Sequence, residues 1–194
     1  MGAAEMAVII AQISRTASPS SQPTRATADI VLSTLMRYTD RAQDLVLTPL
    51  SLVGLGLVVA GTLLRWKCYQ TMRSQFTAHM SIQKNHKLIT TSPYRFVRHP
   101  SYSGMLVVAS GLVCWFCSRG SWLRESGVLD TTIGSVFFYA FVLFLGTITV
   151  IGVGRMGRED KEVRRVFGEE WDEWAHRVRY RLMPGGVLDQ IDVT

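Results

Sequence analysis

The chain has few cysteines, no acid where it is most basic, and three long stretches without any charge. Only Cys68, Cys114 and Cys117 occur in 194 residues. So small and odd a number excludes a disulfide framework. Cys114 and Cys117 form a C-x-x-C, a spacing that can serve zinc or redox chemistry, but it lies in an apolar run with no second ligand pair nearby. The two are read as small apolar fillers, and no set of His, Cys and acids has metal-ligand spacing. A cleavable signal is not expected, because the apolar patch from Ala7 to Ile13 is short and no basic residue precedes it. The final Asp192-Val193-Thr194 offers no lipidation motif. Repeats at solenoid periods are also missing.

Hydrophobic residues make up 47% of the chain, a share that soluble domains can reach. Their distribution is the informative feature. Leu45 to Leu64, Ser101 to Ser118 and Thr131 to Gly154 carry no charged side chain. A hydrocarbon core of ~30 Å takes about 20 helical residues to cross. The spacing therefore predicts spans at 45–64, 101–118 and 131–154. Gly54, Gly56 and Gly61 would let the first pack closely on a neighbour, and Arg65, Trp66 and Lys67 follow it as interfacial anchors.

The net charge of +6 suggests nucleic acid, an anionic membrane or an acidic ligand. Its placement beside apolar spans is what the positive-inside rule requires, so nucleic acid is not expected as a partner. Residues 65–100 hold seven Lys or Arg and no Asp or Glu; residues 155–165 hold five more, and the short loop between the later spans only two. These spans form a hairpin, so both basic segments share one side. The positive-inside rule makes that side cytosolic.

At the N terminus, residues 1–27 are rich in Ser, Thr, Ala and Pro and read as a weakly ordered lead-in. Residues 28–43 read as a short interfacial helix, which sets a boundary between 1–43 and a membrane domain over 44–194. At the other end, Val163, Phe167, Trp171, Trp174 and Val178 recur at spacings of three and four. That predicts an amphipathic cytosolic helix over 158–182, broken at Gly168 and packed through its tryptophans. The predicted fold class is all-α: a polytopic transmembrane helical protein with a cytosolic C-terminal amphipathic helix. His79 reads as a solvated interfacial side chain and His176 as structural or exposed.

Two constellations fall on the cytosolic side. The first runs from His86 to Gly104 and crowds His86, Lys87, Tyr94, Arg95, Arg98, His99, Pro100 and Tyr102 against the start of the second span. Pro100 suits the first turn of a helix, and the positive helix end there favours anions such as carboxylates. An interfacial anchoring loop would use the same residue types. The second is Arg155-Met156-Gly157-Arg158-Glu159-Asp160, directly after the third span. Arg155 and Glu159 share a helical face. Two acids at the end of a membrane helix anchor poorly, but they can accept hydrogen bonds from a ligand's hydroxyls or amine.

His86 to Gly104 resembles the H-x-L-V-T-x-G-x-Y and R-H-P-x-Y-x-G of the isoprenylcysteine carboxyl methyltransferases, in a short, fungal-like form. Arg155 to Asp160 resembles that family's R-x-x-x-E-E, Phe167-Gly168-Glu169-Glu170-Trp171 its F-G-E-E-Y, and Arg177-Val178 the R-V that follows. Order and spacing match across residues 86–178. R-H-P-x-Y-x-G alone is shared with phospholipid methyltransferases and, more loosely, with membrane sterol reductases. The chain departs at Ser92 for Gly, Asp160 for Glu, and Leu112 and Val113 for Thr and Gln.

The resemblance implies an endoplasmic reticulum membrane enzyme that methylates the carboxylate of a C-terminal prenylated cysteine, with S-adenosyl-L-methionine as donor. It implies that His86, Leu88, Tyr94, Arg98, His99, Pro100, Tyr102, Glu159 and Asp160 line the donor site. Arg155 would pair with the substrate carboxylate, a role that a guanidinium performs bidentately. The partners would be a prenylated protein C terminus or a lipophilic acid, and membrane lipid. Two other enzymes fit the bare pattern: a methyltransferase for a small acid or phospholipid, and an NADPH-dependent sterol-type reductase. A non-catalytic membrane scaffold is a further alternative.

Overall fold

The computed structural model describes residues 2–17, 22–72 and 88–183, which are helical with short connections. The α-helices are α1 (Gly2–Ala17), α2 (Gln22–Leu35), α3 (Pro49–Met72), α4 (Pro100–Cys117), the single turn α5 (Trp122–Glu125), α6 (Thr132–Phe167) and α7 (Glu169–Arg177). Among the described residues, three segments are long and apolar enough to cross a membrane: Pro49–Met72, Pro100–Glu125 and Thr132–Phe167. They correspond to the three charge-free runs. Their apolar side chains stay largely uncovered; Ile133, Phe137, Leu143 and Val150 are each more than 70% exposed. Lipid is the solvent that such a surface suits.

The chain divides into two compact units, 1–56 with 111–144 and 57–110 with 145–194. In the first, α1 and α2 pair through Val8, Ala11, Ala28, Leu32 and Met36, with Trp122 against that cluster. Glu5 is buried and accepts a hydrogen bond from the Trp122 amide at 3.0 Å, and the Trp122 indole donates to the Leu35 carbonyl at 3.0 Å. Within the stretch read as a lead-in, residues Gly2–Ala17 form a helix. Ala-rich turns with Val8 and Ala11 on one face have a partner to bury against. Ser18 to Ser21, part of the Ser/Pro tract that suggested disorder, lie outside the described residues. Cys114 is half-buried, Cys117 is exposed, and both are free thiols.

In the second unit, α3 and α4 run antiparallel at close range. A Cβ on Gly61 would stand 2.6 Å from the Gly104 carbonyl oxygen and 2.9 Å from the Val108 nitrogen. In the first unit Gly54 meets the Gly111 oxygen and Trp115 nitrogen in the same way, each at 2.8 Å. Gly56 faces open space, so it takes no part in the packing expected of it.

Helix α6 is longer than expected. It has 36 residues, or about 54 Å of rise, well beyond one hydrocarbon core. The charged segment after Gly154 does not end the helix; it is the same rod carried past the apolar zone. The predicted cytosolic helix therefore begins inside α6, breaks at Gly168 and resumes as α7. Its apolar face packs as the periodicity requires: Trp171, Trp174 and Val178 are buried with Cys68 and Tyr94, and Val163 and Phe167 lie against them.

Gly168 makes the break with φ 52° and ψ −122°. A non-glycine residue is strained there. A Cβ would have open space, so the penalty of Gly168→Ala is conformational alone, on the order of 1–3 kcal/mol. Thermal unfolding in detergent should show a midpoint several degrees lower for Gly168→Ala. Gly146→Ala, within α6 and also facing open space, should be neutral or stabilising. Equal midpoints for both variants would refute the backbone argument.

Candidate active site

The site forms where the first turn of α4 meets the charged continuation of α6. Pro100 opens α4 as the sequence predicts; it is fully buried and has no N–H to leave unsatisfied. His99 precedes it, and its carbonyl receives the Tyr102 amide at 3.0 Å and the Ser103 amide at 3.2 Å. The backbone of His99 thus starts the helix while its imidazole is turned to α6.

Glu159 and Asp160 are successive residues of α6 with different surroundings. Asp160 is buried and its carboxylate is saturated with partners. Oδ1 lies 3.0 Å from His99 Nε2, while Oδ2 lies 3.2 Å from Arg98 Nη1 and 3.4 Å from Arg181 Nε. On the other side of the imidazole, Nδ1 lies 3.9 Å from Glu159 Oε2. Glu159 is the more open of the two, at 24% side-chain exposure against 9%. The Tyr102 hydroxyl donates to its Oε1 at 2.7 Å, and Arg155 Nε lies 3.6 Å from the same oxygen.

Gly152 makes the Tyr102 contact possible. A Cβ there would be 3.1 Å from Tyr102 Cε1 and 2.9 Å from Met105 Cε. Without one, the Tyr102 ring lies on α6 and its hydroxyl reaches Glu159, two turns further along. Met156 is buried between these polar positions.

Arg98, His99, Pro100, Tyr102, Arg155, Glu159 and Asp160 are therefore brought into one place. Tyr94 and Leu88 fall in the adjoining apolar cluster instead, with Cys68, Trp171 and Trp174. Burial pushes the Tyr94 phenol above its ordinary pKa, and the neighbouring Cys68 adds to the shift. The turn leading into Tyr94 contains a cis Ser92–Pro93 peptide. His86 and His79 lie outside the described residues.

Sequence reasoning missed Arg65, Ser103 and Arg181. Arg65 donates to the Ser101 carbonyl at 3.2 Å and to the Tyr69 hydroxyl at 2.6 Å, so it ties α3 to the start of α4 instead of only anchoring at a membrane surface. Arg181 and the carbonyls around it lie beyond the last helix, where no periodicity marks them. Their only signal is the alternating basic and apolar run Arg177 to Arg181.

The arrangement combines an accessible carboxylate, an imidazole, several guanidiniums and a helix N terminus. Such a set can hold a zwitterionic ligand with hydroxyls, and one more arginine can hold an acid beside it. Residues 53–124, which span most of α3 and α4, match the isoprenylcysteine carboxyl methyltransferase (ICMT) family. A probable protein-S-isoprenylcysteine O-methyltransferase of Oryza sativa subsp. indica is 31% identical over 134 residues, 68% of this chain and 60% of the relative. Protein-S-isoprenylcysteine O-methyltransferase B of Arabidopsis thaliana is 29% identical over 136 residues, 69% of this chain and 57% of the relative. The chain thus spans about three fifths of the length of these relatives. A Delta(14)-sterol reductase of Schizosaccharomyces pombe is 30% identical over 98 residues, 50% of this chain but only 19% of the reductase. No solved structure matches. The family resemblance read from the motifs is borne out.

Proposed function

We propose, for a chain that matches the isoprenylcysteine carboxyl methyltransferase family over residues 53–124, S-adenosylmethionine-dependent methylation of the carboxylate of a C-terminal prenylated cysteine. The observation that carries the reading is the meeting of Arg98, His99 and Tyr102 with Arg155, Glu159 and Asp160. The active site faces the cytosol, by the charge bias of its flanking segments, and the membrane is that of the endoplasmic reticulum.

The residues suit the donor. S-adenosylmethionine carries an ammonium and a ribose diol, which are hydrogen-bond donors for Glu159, and a carboxylate for the cationic start of α4. His99, Pro100 and Tyr102 would wall this site, Arg98 and Asp160 would support it, and Leu88, Tyr94 and His86 would extend it. When bound, the donor supplies an electrophilic methyl group on a sulfonium.

What the protein must add is placement. An acceptor carboxylate is ionised at neutral pH and needs no general base. Arg155 binds it through two parallel N–H···O bonds and fixes which oxygen attacks. The pair of Arg155 with Glu159 does not prevent this. At 43% and 24% exposure, an i to i+4 pair is worth only ~0.3–0.5 kcal/mol, so a substrate carboxylate can displace it. The exposed apolar walls of the spans suit a prenyl chain arriving from the bilayer.

The test is transfer of labelled methyl from S-adenosylmethionine to N-acetyl-S-farnesylcysteine by membranes containing the chain. Base-labile, carboxyl-ester label is the expected product. Donor binding without transfer would redirect the search to other lipophilic acceptors. Binding of NADPH in place of the donor would overturn the reading in favour of the sterol-reductase likeness.

A further inference from the structure

The residues of the proposed donor site, on that reading, have to be held in place. One buried carboxylate, Asp160, receives groups from two other parts of the chain: Arg98 and His99 from the start of α4, and Arg181 from the segment after α7. That segment is also bonded to α4 along its backbone. The Arg98 amide donates to the Tyr180 carbonyl at 2.9 Å, and the His99 amide donates to the Arg181 carbonyl at 2.8 Å. Arg98 Nη2 reaches the Arg179 carbonyl at 3.3 Å, and the Ser103 hydroxyl donates to the Leu182 carbonyl. Four consecutive carbonyls, 179 to 182, are used against one helix start.

Charge decides what holds this strap. Two guanidiniums, those of Arg98 and Arg181, converge on one carboxylate, and all three side chains are less than 15% exposed. Without the carboxylate the two cations face each other where water screens them poorly. Arg181 is the one that can move away, because it sits in an irregular segment rather than on a helix. The strap then loses its side-chain hold, and the two amide bonds to residues 180 and 181 open.

We propose that Asp160 and Arg181 are positioning residues. Together they clamp residues 179–182 onto the first turn of α4 and set the orientation of His99 and Arg98 for the donor, while Glu159 is the acid that meets the donor. The Asp160 side chain is 9% exposed against 24% for Glu159, and each of its oxygens is already engaged.

The experiment is hydrogen exchange on the full chain in detergent, followed in peptides that contain Arg98 and His99. Asp160→Asn and Arg181→Gln are each expected to speed exchange of these amides at least tenfold. The double variant should exchange no faster than either single one. Amides in 132–144 should not change. Asp160→Glu, which keeps the charge, should recover most of the protection. In the methyl-transfer assay the two single variants should raise KM for S-adenosylmethionine about tenfold and move kcat less than threefold. Unchanged exchange at Arg98 and His99 in Asp160→Asn would overturn the clamp. So would an Arg181→Gln variant with native exchange and native KM, since Asp160 would then act on the donor directly. If Asp160→Asn does not fold, Arg181→Gln decides by the same readout. A native chain that transfers no methyl group would sink the methyltransferase reading but leave the exchange result to judge the clamp.

Discussion

Arg155→Ala is expected to lower methyl transfer to N-acetyl-S-farnesylcysteine by roughly 10²–10³, the size seen when one oriented charged donor is removed from a reacting group. Donor binding should change little, because Arg155 touches the donor-site acid only through the weak pair to Glu159. The physical case is positional. Arg155 lies within α6, which stays helical to Phe167. The rod holds the guanidinium where the apolar zone stops, one turn before Glu159. A prenylated acid whose chain stays in lipid would bring its carboxylate to that depth. Arg155→Lys keeps the charge but loses the two-pronged geometry, so it should recover only part of the rate. Arg158→Ala is the control, since Arg158 is an exposed arginine of the same helix. Rates for Arg155→Ala within threefold of native, at saturating acceptor, would remove Arg155 from the reaction.

The positions of the spans were readable because charge-free runs long enough to cross a bilayer have few other uses. The extent of α6 was not. Charge onset at Arg155 marks where the apolar zone ends, and a helix does not have to end with it. The glycines show a similar limit. Gly54 and Gly61 are seven residues apart and lie on one face, so both meet α4, whereas Gly56 is two residues from Gly54 and points away. Composition alone marked all three as equivalent; helical phase separates them.

The site was readable where helices carry it. Once α4 and α6 are taken as a hairpin, Arg98, His99 and Tyr102 must come near Glu159 and Asp160, and they do. The different fates of the two acids could not be read from their adjacency. A rotation of ~100° per residue aims one at Tyr102 and the other at Arg98 and Arg181. Arg181 acts from an irregular segment held by carbonyls, and backbone bonds of that kind leave no residue-type pattern.

Gly61→Leu is expected to have the largest effect on folding. The obstacle at Gly61 is the backbone of α4: the Gly104 oxygen at 2.6 Å and the Val108 nitrogen at 2.9 Å from the new Cβ. A side chain could change rotamer to make room, but a helix backbone has to translate. Spans in lipid gain little from hydrophobic burial against each other, so close packing carries much of their association. Forcing α3 and α4 apart also loosens Arg65 from Ser101 and Gly104, and with it the helix start that presents His99. The expected cost is at least ~3 kcal/mol, at the upper end of overpacking penalties because no rotamer relieves the clash. In detergent this should lower the unfolding midpoint by roughly 6–12 °C and abolish methyl transfer together with donor binding. Gly56→Leu adds the same bulk to the same helix where nothing lies within 4 Å, and it should leave the midpoint close to native. Equal losses for the two variants would mean that bulk or helix propensity is responsible, and that the close approach of α3 and α4 at Gly61 does not hold this unit together.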